Sequence, residues 1–318
     1  MIKTIAKVAL PVDEVLEIRK NRILPEGFTD QNLTGLKRIS VVTGIHGDEL
    51  EGQYVAYELQ RRINESKSCL KGIVDIYPAM NPLGIDSLTR GIPAFDLDFN
   101  RLFPGNIEGN MTEYLAAEII EDVKGSDVAL DIHASNIFLT EIPQVRINEL
   151  HKDQLVPLAE QCNMDFIWVH GAATVLEATF AYSLNSIGTP TLVVEMGVGM
   201  RITQSYGNQL VEGILSLMKH IGIWTGETVE PRKPMISTDW RDISYLNAST
   251  GGLFVPRVSH MQELSKGDVV GEIIDPLQGV VLDTVIAPAD GRLFTIREFP
   301  VVDEGSLIGR LVAREVYQ

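Results

Sequence analysis

The sequence predicts an α/β protein: a mostly parallel mixed sheet flanked by helices, followed by a C-terminal all-β domain of the barrel-sandwich kind. Two patterns predict it. From about Arg38 to His220, short apolar runs alternate with segments of helical periodicity, which is typical of parallel strands joined by helices. After the Pro231–Pro234 stretch the helical patterns end, and strand-like runs with glycine turns take their place.

Five apolar runs in the first part predict strands, because each is short and continuously apolar. Parallel strands have this character, since helices cover both faces of the sheet. The runs are Arg38–Thr43, Ile73–Tyr77, Val128–Ile132, Phe166–Val169 and Thr191–Val194.

Apolar residues at helical spacing predict three helices. The first follows the Arg38–Thr43 strand. The second begins near Thr112, a candidate N-cap, and stops at Gly125, while the third begins near Thr203 and stops at Gly222. The apolar positions are Leu50, Tyr54 and Tyr57 in the first helix, Leu115, Ile119 and Val123 in the second, and Leu210, Ile214, Leu217 and Ile221 in the third.

The C-terminal part contains an internal repeat. A Gly252-Leu-Phe-Val run leads to Gly267-Asp-Val-Val-Gly, and a Gly291-Arg-Leu-Phe run leads to Gly305-Ser-Leu-Ile-Gly. This duplication predicts a small β sandwich made of two similar hairpin layers. We therefore expect an α/β domain over residues 1–230 and a β domain over residues 231–318.

The composition limits the classes of function. Of the 318 residues, 43 are acidic and 27 are basic, and the net charge of −16 disfavours nucleic acid and anionic membranes as partners. The two cysteines, Cys69 and Cys162, form no Cys-x-x-Cys motif and fit a reducing compartment. No apolar run is long enough to cross a bilayer, and the N-terminal stretch lacks the apolar core of a signal peptide. The sequence therefore predicts a cytoplasmic protein.

Three short motifs carry candidate chemistry. His46 and Glu49 stand three residues apart after the first strand, and His133 follows Asp131 at the end of the Val128–Ile132 strand. Imidazole and carboxylate groups suit zinc, and Asp131 points to the same side of an extended chain as His133. Glu195 follows another apolar strand, where a carboxylate is costly without a partner or a role.

The positions of these residues strengthen the interpretation. His46, His133 and Glu195 each follow the carboxyl end of a different predicted strand, and open parallel sheets bind their ligands at that edge. Taken singly, each has an ordinary explanation, as a surface or core histidine or an ion-paired carboxylate. Together they favour one site, in which Glu195 is the general base beside a metal held by His46, Glu49 and His133.

A long loop region after the second strand adds recognition groups. Arg101 and the Asn100 amide can pair with a substrate carboxylate, and Arg90 can stabilise an oxyanion. Both arginines can equally be surface cations paired with Asp96 and Asp98. The sequence pattern leaves both interpretations open.

These motifs together resemble the succinylglutamate desuccinylase/aspartoacylase family of the zinc carboxypeptidase clan. The matching pieces occur in the family's order, within roughly the first 220 residues. They are H-G-D-E at 46–49, D-L-D-F-N-R-L-F-P-G at 96–105, D-I-H at 131–133 and V-E-M-G at 194–197.

The resemblance implies a zinc carboxypeptidase-like catalytic domain with one zinc ion per chain. It also assigns roles to seven residues of this sequence. These are the metal ligands His46, Glu49 and His133, the catalytic residues Glu195 and Arg90, and the substrate-binding residues Asn100 and Arg101. The C-terminal part resembles the family's β domain, which is similar to a biotinyl or lipoyl carrier fold, but its Asp275-Pro-Leu-Gln-Gly-Val stretch lacks the carrier lysine.

The expected reaction is therefore hydrolysis of the amide bond of a small N-acyl amino acid or related N-acyl amine, with a carboxylate on the substrate. Two alternatives stay open. One is a zinc carboxypeptidase acting on short peptides, and the other is a non-catalytic ligand-binding relative. Homo-oligomerisation is also left open by the sequence.

Overall fold

The computed structural model describes residues 1–93, 95–171 and 177–317. Within these residues, no helix is both long and apolar enough to cross a membrane. The α-helices in this part of the chain are α1 (Glu51–Glu65), α2 (Pro82–Ser87), α3 (Met111–Val123), α4 (Lys152–Ala159), α5 (Phe180–Ser186) and α6 (Gln204–His220).

The described strands form two sheets. The larger sheet contains β1 (Ile2–Ala9), β2 (Val15–Ile23), β3 (Arg38–Thr43), β4 (Ile73–Tyr77), β5 (Val128–His133), β6 (Leu139–Asn148), β7 (Phe166–His170), β8 (Thr191–Gly197), β9 (Met235–Ser237), β10 (Ile243–Asn247), β12 (Glu263–Leu264), β15 (Gly291–Arg297) and β17 (Leu307–Ala313). The smaller sheet contains β11 (Gly252–Pro256), β13 (Val269–Asp275), β14 (Val280–Ile286) and β16 (Val301–Val302).

The larger sheet is mixed and has a parallel centre. Strands β4, β3, β5 and β8 lie side by side in that order, and all three pairs are parallel. Strand β2 joins β4, and β6 joins β8, in antiparallel pairs. Strands β7 and β9 continue from β6 as a parallel branch. The predicted α/β class, with a mostly parallel mixed sheet, is confirmed.

Helices cover both faces of this sheet, because successive side chains of a strand point to opposite sides. Helices α1, α4 and α6 pack on one face, in a core that includes Leu130 and Val194 of the central strands. Helices α3 and α5 pack on the other face, in a core that includes Val42 and Ala129. The continuous apolar strands of the sequence are explained by this double cover.

The C-terminal strands extend the larger sheet. Strand β15 pairs with β6, β17 with β15, and β10 with β17, all antiparallel. The smaller sheet, in the order β14-β13-β11-β16, shares a separate core with these strands. The two copies of the sequence repeat therefore lie in different layers, since β11 pairs with β13 in one sheet and β15 with β17 in the other. The predicted all-β C-terminal region is confirmed.

The start of α3 corrects the sequence prediction, which placed the N-cap at Thr112. The N-cap is Asn110, whose Oδ1 accepts hydrogen bonds from the backbone N–H groups of Thr112 and Glu113. The Glu113 carboxylate accepts the N–H of Asn110 in return. This capping box satisfies the free N–H groups of the first turn two residues earlier than expected.

The start of α6 agrees with the prediction, whereas its capping contact and the end of β8 differ from the expectation. Thr203 is the N-cap of α6, but its side chain makes no capping bond, and its N–H donates to the buried carboxylate of Glu51. Strand β8 continues to Gly197, so Glu195 lies within the strand rather than after it. Its pairing with neighbours on both sides fixes the backbone of Glu195.

Candidate metal centre and active site

A cavity of about 840 Å³ lies beside the carboxyl ends of β3, β5 and β8. Along β5 and β8, every second side chain packs into the core under α1, α4 and α6. The side chains between them point to the other face and form one wall of the cavity; they include Asp131, His133 and Glu195. The cavity therefore lies where the predicted functional residues converge, at the edge where parallel sheets bind their ligands.

The loop after β3 brings His46 and Glu49 into this cavity. Glu49 Oε1 lies 2.8 Å from Nδ1 of His46, and both side chains are buried. The loop packs closely on α2, because a Cβ atom on Gly47 would lie 2.0 Å from the carbonyl carbon of Gly84. Glycine at position 47 is thus required for the close approach that holds this loop.

Strand β5 supplies the third member of the cluster. Its last residue, His133, is the register partner of Glu195 in β8. Nδ1 of His133 lies 2.9 Å from Oε2 of Glu49 and 3.2 Å from Nδ1 of His46. The candidate ligand atoms of His46, Glu49 and His133 all lie within 4.8 Å of one another. The three predicted ligands therefore come together at one point.

One carboxylate lies beside the outer nitrogen of each imidazole. Asp98 Oδ1 lies 3.0 Å from Nε2 of His46, and Asp131 Oδ1 lies 3.0 Å from Nε2 of His133. A carboxylate on the outer nitrogen fixes the tautomer in metal sites, leaving the other nitrogen free to bind the ion. Both Nδ1 atoms face the centre, and their separation is near the roughly 3.4 Å expected for two ligands of tetrahedral zinc.

Charge shifts the pKa values of these groups in opposite directions. Burial lowers the pKa of His133, but the Asp131 and Glu49 carboxylates outweigh burial and raise it well above its ordinary value. The pKa of His46 is likewise raised by Glu49 and Asp98 against the effect of burial. Burial raises the pKa of Glu49, yet the two histidines hold it well below its ordinary value. Protonated imidazoles and the Glu49 carboxylate thus stabilise each other as opposite charges. A bound dication would take the place of the imidazole protons in this arrangement.

Glu195 differs from Glu49 in its surroundings. Burial raises its pKa above the ordinary value, although Arg146 and His133 oppose the shift. Nη1 of Arg146 lies 3.3 Å from Oε1 of Glu195. A carboxylate with a raised pKa beside a candidate metal centre has the proton affinity that a general base needs.

The predicted recognition residues also line the cavity. Arg90 contacts Glu49 Oε1 at 2.9 Å and Asp98 Oδ2 at 3.4 Å, so its guanidinium borders the candidate metal cluster. Asn100 accepts the backbone N–H of Phe180 through Oδ1, which orients its amide. Nη1 of Arg101 donates to the carbonyl oxygen of Asn100. Both arginines also lie within ionic distance of Asp98, with Arg101 Nη2 3.9 Å from its Oδ2, so the pairing with Asp98 considered for them is present in the structure.

Comparison with known proteins agrees with this geometry. A sequence model described as the succinylglutamate desuccinylase/aspartoacylase catalytic domain matches residues 36–221, more than half of the chain. This chain belongs to that family. It is a hydrolase that acts on linear amide bonds.

Similar proteins include a curated relative and several solved structures of family members. N-alpha-acetyl-L-2,4-diaminobutyric acid deacetylase of Halomonas elongata is 29% identical over 267 residues, covering 81% of this chain and 76% of that protein. The product-bound ectoine utilization protein EutE of Ruegeria pomeroyi has a TM-score of 0.80 at 19% identity, with 96% of this chain and 93% of that chain covered. A succinylglutamate desuccinylase/aspartoacylase of Rhodobacter sphaeroides has a TM-score of 0.80 at 21% identity, with coverages of 98% and 94%.

In this desuccinylase/aspartoacylase family member, several cavity residues are not marked as functional by any sequence pattern. Asp98 belongs to the D-L-D-F-N-R-L-F-P-G motif at 96–105, but its contact with His46 depends on the loop conformation. Arg146 and Glu141 lie on β6, a strand that the sequence patterns do not predict. Arg310 reaches the cavity from β17, far away in sequence from His46, Glu49 and His133. No local pattern marks such distant contributions.

Proposed function

We propose that this protein is a zinc-dependent deacylase that hydrolyses the amide bond of a small, carboxylate-bearing N-acyl amino acid. The observation that carries the proposal is the convergence of His46, Glu49 and His133 beside Glu195 in one cavity. Cleavage adds water across the carbon–nitrogen bond and releases a carboxylate and an amine.

The donor set fits zinc. His46, Glu49 and His133 would hold the ion, because two neutral imidazole nitrogens and one carboxylate form a known catalytic ligand set that leaves a further position open. When bound there, zinc supplies polarisation of the amide carbonyl and lowers the pKa of water. The two outer carboxylates, on Asp98 and Asp131, support the same assignment, since they orient each imidazole.

The chain's own residues then account for the proton transfers and for binding. Glu195 removes a proton from the attacking water and returns it to the leaving nitrogen. Arg90 stabilises negative charge that develops on the carbonyl oxygen. Asn100 and Arg101 bind the substrate carboxylate, and the guanidinium gives this contact its bidentate geometry.

The substrate class is supported by the cavity and by the relative from Halomonas elongata, which acts on an N-acetylated diamino acid. A cavity of about 840 Å³ has the size of a small-molecule site. The two cysteines are unpaired in the structure, as expected of a protein in the reducing cytoplasm, which we propose as its location.

A hydrolysis screen tests the proposal. We expect purified, metal-analysed protein to hydrolyse N-acetyl or N-succinyl amino acids and to lose this activity after treatment with a chelator. Zinc should restore it. Dipeptides measured in parallel would reveal the carboxypeptidase alternative. Faster hydrolysis of dipeptides than of every N-acyl amino acid would contradict the proposed substrate class and favour a carboxypeptidase. Hydrolysis that resists the chelator would contradict the metal assignment.

Replacement of Glu195 tests the role of the general base. We expect Glu195→Gln to keep zinc but to lower kcat by at least about a hundredfold, because the amide cannot take up the proton of water. The matched control is Glu212→Gln on α6, whose carboxylate pairs with Arg62 and does not line the cavity. The base assignment fails if Glu195→Gln turns over at the rate of the control.

A further inference from the structure

A second buried polar cluster adjoins the cavity wall. It consists of Glu141 and Arg146 on β6 and Arg310 on β17, arranged around the ring of Trp168, and we call it the Glu141 cluster. All four residues line the same cavity as Glu195. The cluster is made by both parts of the chain, since Arg310 belongs to the C-terminal strands.

Glu141 is the centre of this cluster. Its side chain is 1% exposed, so its charge needs strong compensation. Four side chains donate to it. They are Gln144 Nε2 at 2.8 Å, Arg146 Nη2 at 3.1 Å, Thr295 Oγ1 at 2.6 Å and Arg310 Nη1 at 2.8 Å. Two of these donors lie on β15 and β17, so the C-terminal strands share in fixing the carboxylate.

Arg146 connects Glu141 to Glu195. One terminal nitrogen donates to Glu141, and the other lies 3.3 Å from Oε1 of Glu195. Its guanidinium lies over the Trp168 ring, 5.6 Å from the centroid. Among the residues that the structure describes, Arg146 is the side chain in ionic contact with Glu195. The planar fork of arginine suits this bridging position, because its two terminal nitrogens keep a fixed separation.

Arg310 supports the same ring and the same carboxylate from the opposite part of the chain. Its guanidinium also lies 5.6 Å from the Trp168 centroid, and 5.7 Å from that of Tyr245. Two arginines on one aromatic ring, joined by one carboxylate, restrict each other's positions. Contacts therefore run without interruption from β17 to Glu195.

We propose that Glu141 and Arg310 are positioning residues for the reaction: they hold Arg146, which orients the Glu195 carboxylate toward the metal centre. This inference rests on the proposed function, in which Glu195 is the base. It gives the C-terminal strands a part in the reaction beyond bordering the cavity. A base displaced by about 1 Å can lose up to a hundredfold in rate, so the arrangement has measurable consequences.

Substitutions of Arg310 test this inference without touching Glu195 or its direct partner. We expect Arg310→Gln to lower kcat about ten- to a hundredfold, with KM within about threefold of wild type and zinc content unchanged. Arg310→Lys should recover part of kcat, because an ammonium can still make one bond to Glu141. The matched control is Arg257→Gln, which breaks an exposed pair with Glu272 in the same part of the chain and should leave kcat unchanged.

The chain of contacts also predicts coupling between its members. The double variant Arg146→Gln/Arg310→Gln should be no slower than Arg146→Gln alone, since both substitutions act through one carboxylate. Additive losses of kcat would contradict the proposal that Arg310 acts through Glu141 and Arg146. So would a rise in KM at constant kcat, which would make Arg310 a substrate-binding residue, or a loss of zinc, which would place its effect at the metal.

Two further measurements distinguish a failure of this inference from misfolding of the variant and from a failure of the proposed function. If thermal melting shows that Arg310→Gln is unfolded, Thr295→Val serves instead, because it removes one hydrogen-bond donor to Glu141. This variant should lower kcat with KM unchanged. An unchanged kcat in Thr295→Val would overturn the inference. If wild type hydrolyses no N-acyl amino acid, the proposed function falls and this inference with it. An active wild type with kcat unaffected in Arg310→Gln defeats the inference alone.

Discussion

At the residue scale, the candidate metal centre depends on which nitrogen each histidine presents. Asp98 and Asp131 occupy the Nε2 side of His46 and His133, so both Nδ1 atoms point at Glu49 and at each other. Two imidazole nitrogens 3.2 Å apart cannot both carry a proton comfortably, and a shared cation removes the conflict. The local geometry therefore favours a metal over a purely structural hydrogen-bond cluster.

The metal assignment predicts the result of removing one imidazole. We expect His133→Ala to lose bound zinc during dialysis, because two remaining ligands hold the ion far more weakly than three. His170→Ala is the matched control: His170 lines the same cavity but lies outside the cluster, and this variant should keep stoichiometric zinc. Elemental analysis measures both. Full zinc content in His133→Ala would remove that residue from the ligand set.

At the scale of the element, the packing position of α6 depends on one glycine. Its apolar stripe of Leu210, Ile214 and Leu217 is buried, as the sequence predicts. Gly213 faces the chain just after α4, where a Cβ atom would lie 1.8 Å from the carbonyl oxygen of Cys162. The helix thus approaches the backbone of its neighbour directly, and Gln209 and Asn163 bond across the same contact.

Gly213→Ala tests this close approach. In an isolated helix the change would stabilise by about 1 kcal/mol. Here we expect a loss of about 1–3 kcal/mol in the free energy of unfolding, because a backbone carbonyl must move to admit the methyl group. Urea titration measures the change, with the exposed Ser205→Ala of the same helix as control. A stabilised Gly213→Ala would mean that α6 does not pack as described.

At the scale of the whole molecule, a buried charge network ties the N-terminal hairpin to the sheet and to α3. Asp75 on β4 is fully buried and pairs with Lys20 at 3.1 Å and with Arg22 at 2.6 Å, both on β2. Lys20 also contacts Asp122 of α3 at 2.6 Å. Removing one member leaves buried charges uncompensated, which costs more than the pair contributes.

Asp75→Asn should therefore destabilise the fold by about 3–5 kcal/mol. Burial raises the pKa of Asp75, but Arg22 and Lys20 outweigh burial and hold that pKa below its ordinary value of 3.8. The stabilisation by ionised Asp75 is complete above that value and is lost as the pH falls through the depressed pKa. Urea titrations should show the difference from wild type shrinking below about pH 4, with the exposed Asp86→Asn as control. A difference independent of pH would contradict this.

The division into a catalytic unit over residues 1–230 and a β unit over residues 231–318 stays a prediction. The C-terminal core is largely its own, yet β15 continues the larger sheet through β6. A small cluster including Phe166, Ile243 and Phe294 joins the two parts. The Glu141 cluster crosses the same junction, so the two parts meet where the cavity is completed.

The amino-acid sequence is sufficient to predict the α/β class, the central strands, the internal repeat and the three residues of the candidate metal cluster. These were accessible because apolar runs encode buried strands locally, and because His46, His133 and Glu195 each mark the carboxyl end of such a run.

The remaining features depend on contacts between distant parts of the chain. Strand β1 is mostly not buried, β2 alternates buried positions with less buried ones, and β6 is largely buried but mixes polar with apolar residues. No continuous apolar run therefore marks any of the three. The pairing of Asp98 with His46, and of Arg310 with Glu141, joins residues far apart in the chain. Long-range contacts depend on how strands are ordered in space, which local periodicity does not specify, and so the surroundings of Glu195 emerged only with the fold.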